Sequence, residues 1–123
     1  MDKYLVVSIG AGIGGVFRYW LSGYVYKFIP SSFPYGTLAV NFLGCLLIGI
    51  IIFGLSEKEL ISPLFRLFLT VGFCGGFTTF STFSFETLNL LKDYDFLLAF
   101  INVVSNVAFC LGGTYLGYLI SKF

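Results

Sequence analysis

The sequence has no histidine and little charge, because only 11% of its 123 residues are Asp, Glu, Lys or Arg. Without histidine, Ser-His-Asp triads and imidazole metal sites are excluded. A typical soluble domain has about 25% charged residues, so this chain has too little charge to cover a water-facing surface. Its net charge of +1 is also too small for a nucleic-acid-binding surface.

Cysteine is scarce as well, and its three residues each lie alone in an apolar stretch: Cys45, Cys74 and Cys110. None belongs to a Cys-x-x-Cys motif, and a structural metal site would require more ligands. We interpret the cysteines as small packing residues. We identify no nucleophile–base pair in the sequence, so it does not predict an enzyme.

Long uncharged runs are abundant, since 58% of the residues are hydrophobic and the mean hydropathy is +0.96. A membrane-spanning helix requires about 20 mostly apolar residues. We predict an all-α integral membrane protein with a single four-helix domain over residues 1–123. Its transmembrane helices are predicted at about 4–26, 35–55, 64–91 and 96–121. The first segment continues past Arg18 without an A-x-A-like cleavage site, which favours a retained helix over a signal peptide.

The positive charges between these segments differ little from one side of the membrane to the other. Four spans place both termini on the same side. That side holds Lys3, Lys58, Lys122 and Arg66, and the opposite side holds Lys27 and Lys92. Because positive residues favour the cytoplasmic side, this weak bias predicts either a cytoplasmic N-terminus by a narrow margin or insertion in both orientations.

Three of the predicted helices contain pairs of glycines spaced four residues apart. These pairs are Gly10 and Gly14, Gly72 and Gly76, and Gly113 and Gly117. In lipid, such pairs permit the close backbone approach on which helix association depends. We therefore expect tight helix–helix packing at these positions.

The third predicted helix contains an unusual segment in its middle, where Gly75 and Gly76 precede a run rich in Thr and Ser. Adjacent glycines make a poor helix interior, so we predict a helix break at about Gly75 to Thr79, near the bilayer midplane. Unwound backbone at that depth must be buried in protein or line an aqueous cavity, and broken helices build ion sites in transporters. The alternative is a glycine kink that serves packing alone.

Neutral groups suited to a small anion surround this segment. Phe80 and Phe83 share a helix face, and the positive edge of a phenyl ring offers weak C–H donors, although such a pair ordinarily indicates packing or lipid contact. Asn41 is an amide within the second apolar run, and a polar stripe at i+4 spacing marks the fourth helix: Asn102, Asn106, Cys110 and Thr114. Buried amides either join helices or line a pathway. The stripe beside a broken helix favours a pathway, because neutral donors can replace the water around an anion and still release it.

Two ionisable residues lie within predicted spans, Arg18 and Glu86, and intramembrane charges are functional candidates. Arg18 either lines a vestibule, pairs with another group or extends to the membrane surface. Glu86 is compatible with an anion route if it is protonated, paired with a cation or turned away.

Three motifs together resemble the Fluc (CrcB-like) fluoride channel family. The first is Gly-Gly-x-x-Arg-Tyr at 14–19, and the second is Val-Asn-Phe-Leu-Gly at 40–44. The third and most specific is Gly-Phe-Cys-Gly-Gly-Phe-Thr-Thr-Phe-Ser-Thr-Phe at 72–83. The resemblance covers essentially the whole chain, including its length and its four-helix layout.

The resemblance implies an antiparallel, dual-topology homodimer in the cell membrane that exports cytoplasmic fluoride passively through two pores at the dimer interface. It leaves a heterodimer with a related chain as an alternative. The expected pore residues are Asn41, Phe80, Ser81, Thr82, Phe83, Ser84 and Thr114. Arg18 is expected in the vestibule and Glu86 near the polar track. Asn102, Asn106 and Cys110 stand where family members commonly have Ser, Thr or Tyr.

The resemblance also implies one structural sodium ion at the dimer centre, held by the backbone carbonyls of Gly75 and Thr78, and no organic cofactor. The main alternative is a small multidrug-type proton-coupled exporter, which is also a four-helix, dual-topology dimer. Such an exporter requires an acidic residue in its first helix, where this chain has only Arg18. A packing or assembly subunit would leave the predicted break and the polar stripe unexplained.

Overall fold

The computed structural model describes residues 2–123, which form four helices long and apolar enough to cross a membrane. The first is α1 (Lys3–Val25), and the second is α2 (Tyr35–Gly49) with a π-helical continuation (Ile50–Ser56). The third consists of α3 (Pro63–Leu67), a π-helical segment (Phe68–Cys74), α4 (Gly75–Phe77) and α5 (Phe80–Lys92), and the fourth is α6 (Phe96–Ser121). The predicted all-α fold with four membrane-length helices is confirmed, and each boundary lies within one residue of the predicted one.

The outer surface of the bundle is apolar. Only 17–33% of the most hydrophobic window in each of the four helices is buried, and large side chains such as Trp20, Leu97 and Phe100 are exposed. An apolar surface of this extent is not stable in water but is stable in hydrocarbon, where helices satisfy their own backbone hydrogen bonds. The chain is a multi-pass membrane protein.

Side-chain caps define where several helices begin. The Asp2 side chain accepts a hydrogen bond from the Tyr4 N–H at the start of α1. Ser62 Oγ accepts from the Phe65 N–H at 3.1 Å, and Pro63 occupies the first position of α3, where its missing N–H costs nothing. The side-chain oxygens at these positions accept from N–H groups that the helix itself leaves without a partner in its first turn.

Glycines bring α1 into direct backbone contact with the third span. A Cβ atom on Gly14 would collide with the Phe73 carbonyl, and a Cβ atom on Gly76 would collide with the Ala11 carbonyl. The helices approach this closely because glycine has no side chain. The expected tight packing at the glycine pairs is confirmed here, and it places α1 against the middle of the third span.

Two residues between α4 and α5 have extended backbone, Thr78 (φ −82°, ψ 159°) and Thr79 (φ −150°, ψ 119°). The sequence predicted a break from Gly75 to Thr79, but Gly75, Gly76 and Phe77 are helical residues of α4. At these three positions the prediction was wrong, because Gly76 provides space for α1 rather than conformational freedom. The non-helical backbone is limited to the two threonines.

Candidate functional site

The side chain of Asn41 on α2 holds the backbone of Thr79 at the interruption before α5. The Thr79 N–H donates to Asn41 Oδ1 at 2.8 Å, and Asn41 Nδ2 donates to the Thr79 carbonyl at 3.1 Å. A single buried amide thus satisfies both backbone groups of Thr79. The extended conformation is stable at this depth because neither polar group is left without a partner.

This arrangement releases several carbonyls from helical hydrogen bonding, among them those of Gly75 and Thr78. In a continuous α-helix each N–H donates to the carbonyl four residues earlier. The Thr79 N–H, which would serve the Gly75 carbonyl, is directed to Asn41. The Thr82 N–H, which would serve the Thr78 carbonyl, donates to Thr79 Oγ1 at 3.1 Å. The carbonyl oxygens of Gly75 and Thr78 are therefore free to act as ligands.

Arg18 lies beside the same interruption. Its Nε donates to the Gly76 carbonyl at 3.0 Å. In an unbroken helix this carbonyl would accept a hydrogen bond from the Phe80 N–H. The side chain is half-buried and also lines a cavity between α1, α2 and α5. The guanidinium therefore brings a fixed positive charge next to the unwound backbone.

Hydroxyl groups cluster at the start of α5. Thr79 Oγ1 donates to Thr82 Oγ1 at 3.0 Å and lies 3.3 Å from Ser81 Oγ. Ser81 and Ser84 are exposed on the outer surface of the chain, and Thr82 is half-buried. The first turn of α5 thus presents several neutral donors on adjacent faces.

The two predicted phenyl rings lie together on the first turn of α5. The ring centroids of Phe80 and Phe83 are 5.2 Å apart, and their planes are inclined by 50°. Phe83 is 8% exposed, whereas Phe80 is 79% exposed and points away from the chain. In this inclined arrangement the positive edges of both rings can face the same space.

Two cavities border the interruption, one lined in part by Thr79 and the other lined in part by Asn41. The first, of about 470 Å³, is lined by Arg18, Tyr19, Ser22, Thr37, Thr79 and Thr82, among others. The second, of about 270 Å³, is lined mainly by Phe80, Phe83, Val107, Cys110 and Leu111, with the amides of Asn41 and Asn106. Thr79 lines the first cavity and Asn41 lines the second, and these two residues are hydrogen-bonded to each other.

Comparison with known proteins decides the family. Residues 5–118 match the family described as CrcB-like protein, Camphor Resistance (CrcB). The chain belongs to this CrcB-like family. The family predicted from the three sequence motifs is thereby confirmed.

Several relatives of this CrcB-like chain are named fluoride-specific ion channel FluC. The relative from Geobacter sulfurreducens is 47% identical over 122 residues, which cover 99% of this chain and 98% of the relative. The relative from Trichlorobacter lovleyi is 50% identical over 97% of this chain and 95% of its own length. The relative from Geotalea daltonii is 45% identical over all of this chain and 99% of its own.

The polar stripe on α6 of this CrcB-like chain divides into two parts. Asn102 and Asn106 are buried inside the chain, with Asn102 only 1% exposed. Cys110 is half-buried and lines the second cavity. The Thr114 hydroxyl donates to the Cys45 carbonyl at 3.3 Å, so this group joins α6 to α2 about one turn beyond the cavity.

Glu86 lies on α5 beyond the hydroxyl cluster, near Thr37 and Tyr26. Its Oε1 is buried and has no hydrogen-bond partner within residues 2–123. Tyr26 is held in place by the Gly36 N–H, which donates to its hydroxyl at 3.1 Å. The carboxyl group therefore lies among hydroxyl side chains of α2 and of the segment after α1.

Sequence reasoning missed several polar residues that the fold brings to this region. Tyr19, Ser22 and Thr37 line the first cavity, and Thr87 is hydrogen-bonded to Asn102. Ser22 follows Arg18 by one helical turn, and Thr37 precedes Asn41 by one turn. Their i+4 spacing from the predicted site residues is the signal that could have found them.

Proposed function

We propose that this chain forms a fluoride channel that exports cytoplasmic fluoride by passive electrodiffusion and so confers fluoride resistance. The observation that carries the proposal is that two cavities border the interruption, one lined by Thr79 and the other by Asn41, and that these two residues are hydrogen-bonded to each other. The cavity walls supply hydroxyl groups and ring edges, which are uncharged and can therefore replace the water around a small anion and still release it. The names of the relatives support fluoride as the ion.

The exposed surface of the third span supports a homodimer as the working unit. Gly75, Phe80, Ser81 and Ser84 are exposed in the single chain, although they lie in the middle of a transmembrane segment. Free carbonyls and hydroxyls are costly against lipid tails, and a second copy of the chain would cover them. The nearly balanced positive charge on the two sides favours an antiparallel pair with a pore for each copy.

Light scattering of the purified protein in detergent would test the dimeric state. We expect the mass of two chains, and the mass of one chain would contradict the dimer.

Fluoride would enter the cavity beside Arg18, which attracts anions to its mouth. It would exchange its water for the hydroxyls of Thr82, Ser81 and Ser84. It would then pass the ring edges of Phe80 and Phe83 in the second cavity, whose wall also contains Asn41. Thr114 would continue the wall on α6. Because hydrogen fluoride crosses membranes and dissociates in the neutral cytoplasm, the membrane potential then drives the anion out with about 2.3 kcal/mol per 100 mV.

The decisive experiment is fluoride efflux from liposomes that contain the purified protein, measured with a fluoride electrode and compared with chloride efflux. We expect rapid fluoride release and little chloride release. Equal release of both anions, or of neither, would overturn the channel. A small multidrug-type exporter is not favoured, since α1 contains no acidic residue for a cationic substrate.

The Gly75 and Thr78 carbonyls fit a sodium ion, because both are free of helical hydrogen bonds and unwound backbone carbonyls bind Na⁺ in membrane proteins. In the proposed dimer, both carbonyls of each copy would hold one ion, which would stabilise the interface and take no part in permeation.

Sodium is accordingly expected to raise the thermal stability of the purified dimer. A ligand that binds only the folded state stabilises it by about 2.7 kcal/mol at 100 times its dissociation constant. The measurement is the unfolding temperature in NaCl and in equal N-methylglucamine chloride, which controls for ionic strength. The same unfolding temperature in both salts would refute the site.

A further inference from the structure

A continuous chain of buried and partly buried hydrogen bonds runs from the interruption through two other helices and back to α5. From Asn41 on α2, Nδ2 donates to Asn106 Oδ1 at 3.1 Å. From Asn106 on α6, Nδ2 donates to Asn102 Oδ1 at 3.0 Å and to the Asn102 carbonyl at 2.9 Å. Asn102 Nδ2 then donates to Thr87 Oγ1 at 2.9 Å. We call these four residues the amide relay.

The relay ends on the same helical turn at which it begins. Asn41 holds both backbone groups of Thr79, the residue immediately before Phe80. At the other end, Thr87 Oγ1 donates to the Phe83 carbonyl at 2.8 Å. The relay is therefore hydrogen-bonded to the backbone on both sides of the first turn of α5, at Thr79 and at Phe83. This turn carries the two phenyl rings.

Most of the amide donors in the relay are already used within the chain. An asparagine side chain has two N–H donors. Asn41 directs them to Thr79 and Asn106, and Asn106 directs both of its donors to Asn102. These two amides keep no N–H for an anion, so they are suited to hold other groups in place rather than to bind an ion.

We propose that the amide relay of Asn41, Asn106, Asn102 and Thr87 fixes the orientation of the Phe80–Phe83 turn, and that Asn102, Asn106 and Thr87 are positioning residues for fluoride passage. This inference rests on the proposed channel function. Since Asn102 is almost fully buried, water does not readily replace a lost link, and a missing member leaves its neighbours without partners. The turn is then free to rotate, and the ring edges lose their alignment.

Thr87 provides the cleanest test, because valine has nearly the same shape and lacks the hydroxyl. We expect Thr87→Val to lower fluoride efflux per folded dimer about tenfold, the effect of one buried unsatisfied group, and to lower the fluoride-to-chloride ratio. Thr87→Ser keeps the hydroxyl and is expected to remain within about twofold of wild type. Asn89→Leu, which removes an exposed amide from the same helix, is the matched control and is expected to conduct normally.

Coupling between the two ends gives a second readout. Asn106→Leu already interrupts the relay, so adding Thr87→Val is expected to reduce flux no further, whereas independent sites would multiply their effects. A merely structural defect would lower the yield of folded dimer without changing the rate per dimer or the ion ratio. Thr87→Ala removes the same hydroxyl without adding bulk and replaces Thr87→Val if that variant does not fold.

The outcomes separate the relay from the channel function. If wild type conducts and Thr87→Val keeps its rate and ion ratio, or if Thr87→Ser is as slow as Thr87→Val, the relay is wrong while the channel stands. If wild type itself releases no fluoride, the proposed function is overturned, and the inference with it.

Discussion

Fluoride efflux is expected to fall by about 10- to 100-fold when Phe80 and Phe83 are both replaced by isoleucine. Isoleucine keeps the apolar bulk but has no ring edge with a positive rim. Oriented aromatic contacts contribute about 0.5–1.5 kcal/mol each, and every 1.4 kcal/mol is a factor of ten. Electrode-detected efflux from liposomes, normalised to folded dimer, measures the effect.

Phe85→Ile is the matched control, because Phe85 lies on the same helix and is 64% exposed, but lines neither cavity at the interruption. It is expected to conduct like wild type. If the double variant also conducts normally as a folded dimer, ring edges play no part in permeation. If Phe85→Ile is equally slow, the effect comes from losing aromatic residues in general and not from the Phe80–Phe83 pair.

Replacing Gly14 by alanine is expected to destabilise the folded chain by about 2–3 kcal/mol, because overpacking a tight contact forces the backbone apart. The new Cβ atom would collide with the Phe73 carbonyl and lie 2.9 Å from the Phe77 N. Both neighbours are backbone atoms and cannot rotate away. The gain of about 1 kcal/mol in helix propensity from Gly to Ala does not offset this cost. Thermal unfolding in detergent provides the measurement.

Gly12→Ala makes the same chemical change one half-turn earlier on α1, where no atom of residues 2–123 lies within 4 Å of the new Cβ outside the helix itself. It is expected to leave stability unchanged or to raise it slightly. Equal losses in Gly12→Ala and Gly14→Ala would show that flexibility of α1, and not its close packing, is what the glycines provide.

Much of the architecture was predictable from local sequence. The four helices end within one residue of their predicted limits, because a membrane demands a fixed length of apolar chain and polar or Pro-containing segments must lie outside it. The glycine pairs predicted close contacts for a similar reason, since only small residues permit backbone approach in lipid. The motif at 72–83 was specific enough to predict the family.

The details of the interruption were less predictable. Gly75 and Gly76 are the weakest helix formers of the segment, yet both are helical, and the extended residues are Thr78 and Thr79. Helix propensity differs by only about 1 kcal/mol per residue, and the paired hydrogen bonds from Asn41 decide the outcome. Asn41 is 38 residues away in the chain, so no local pattern indicates this contact.

Composition and spacing alone determined that this chain enters a membrane, where its helices start and stop, and which of its faces are polar. These properties depend on the cost of transferring each stretch into hydrocarbon, which is a sum over neighbouring residues. Only the tertiary structure decided which carbonyls are released from helical hydrogen bonds and which amide N–H groups already donate to other groups of the chain. A hydrogen bond is satisfied by whichever group the packing of distant helices brings within about 3 Å, and that partner is set by the packing rather than by neighbours in the chain.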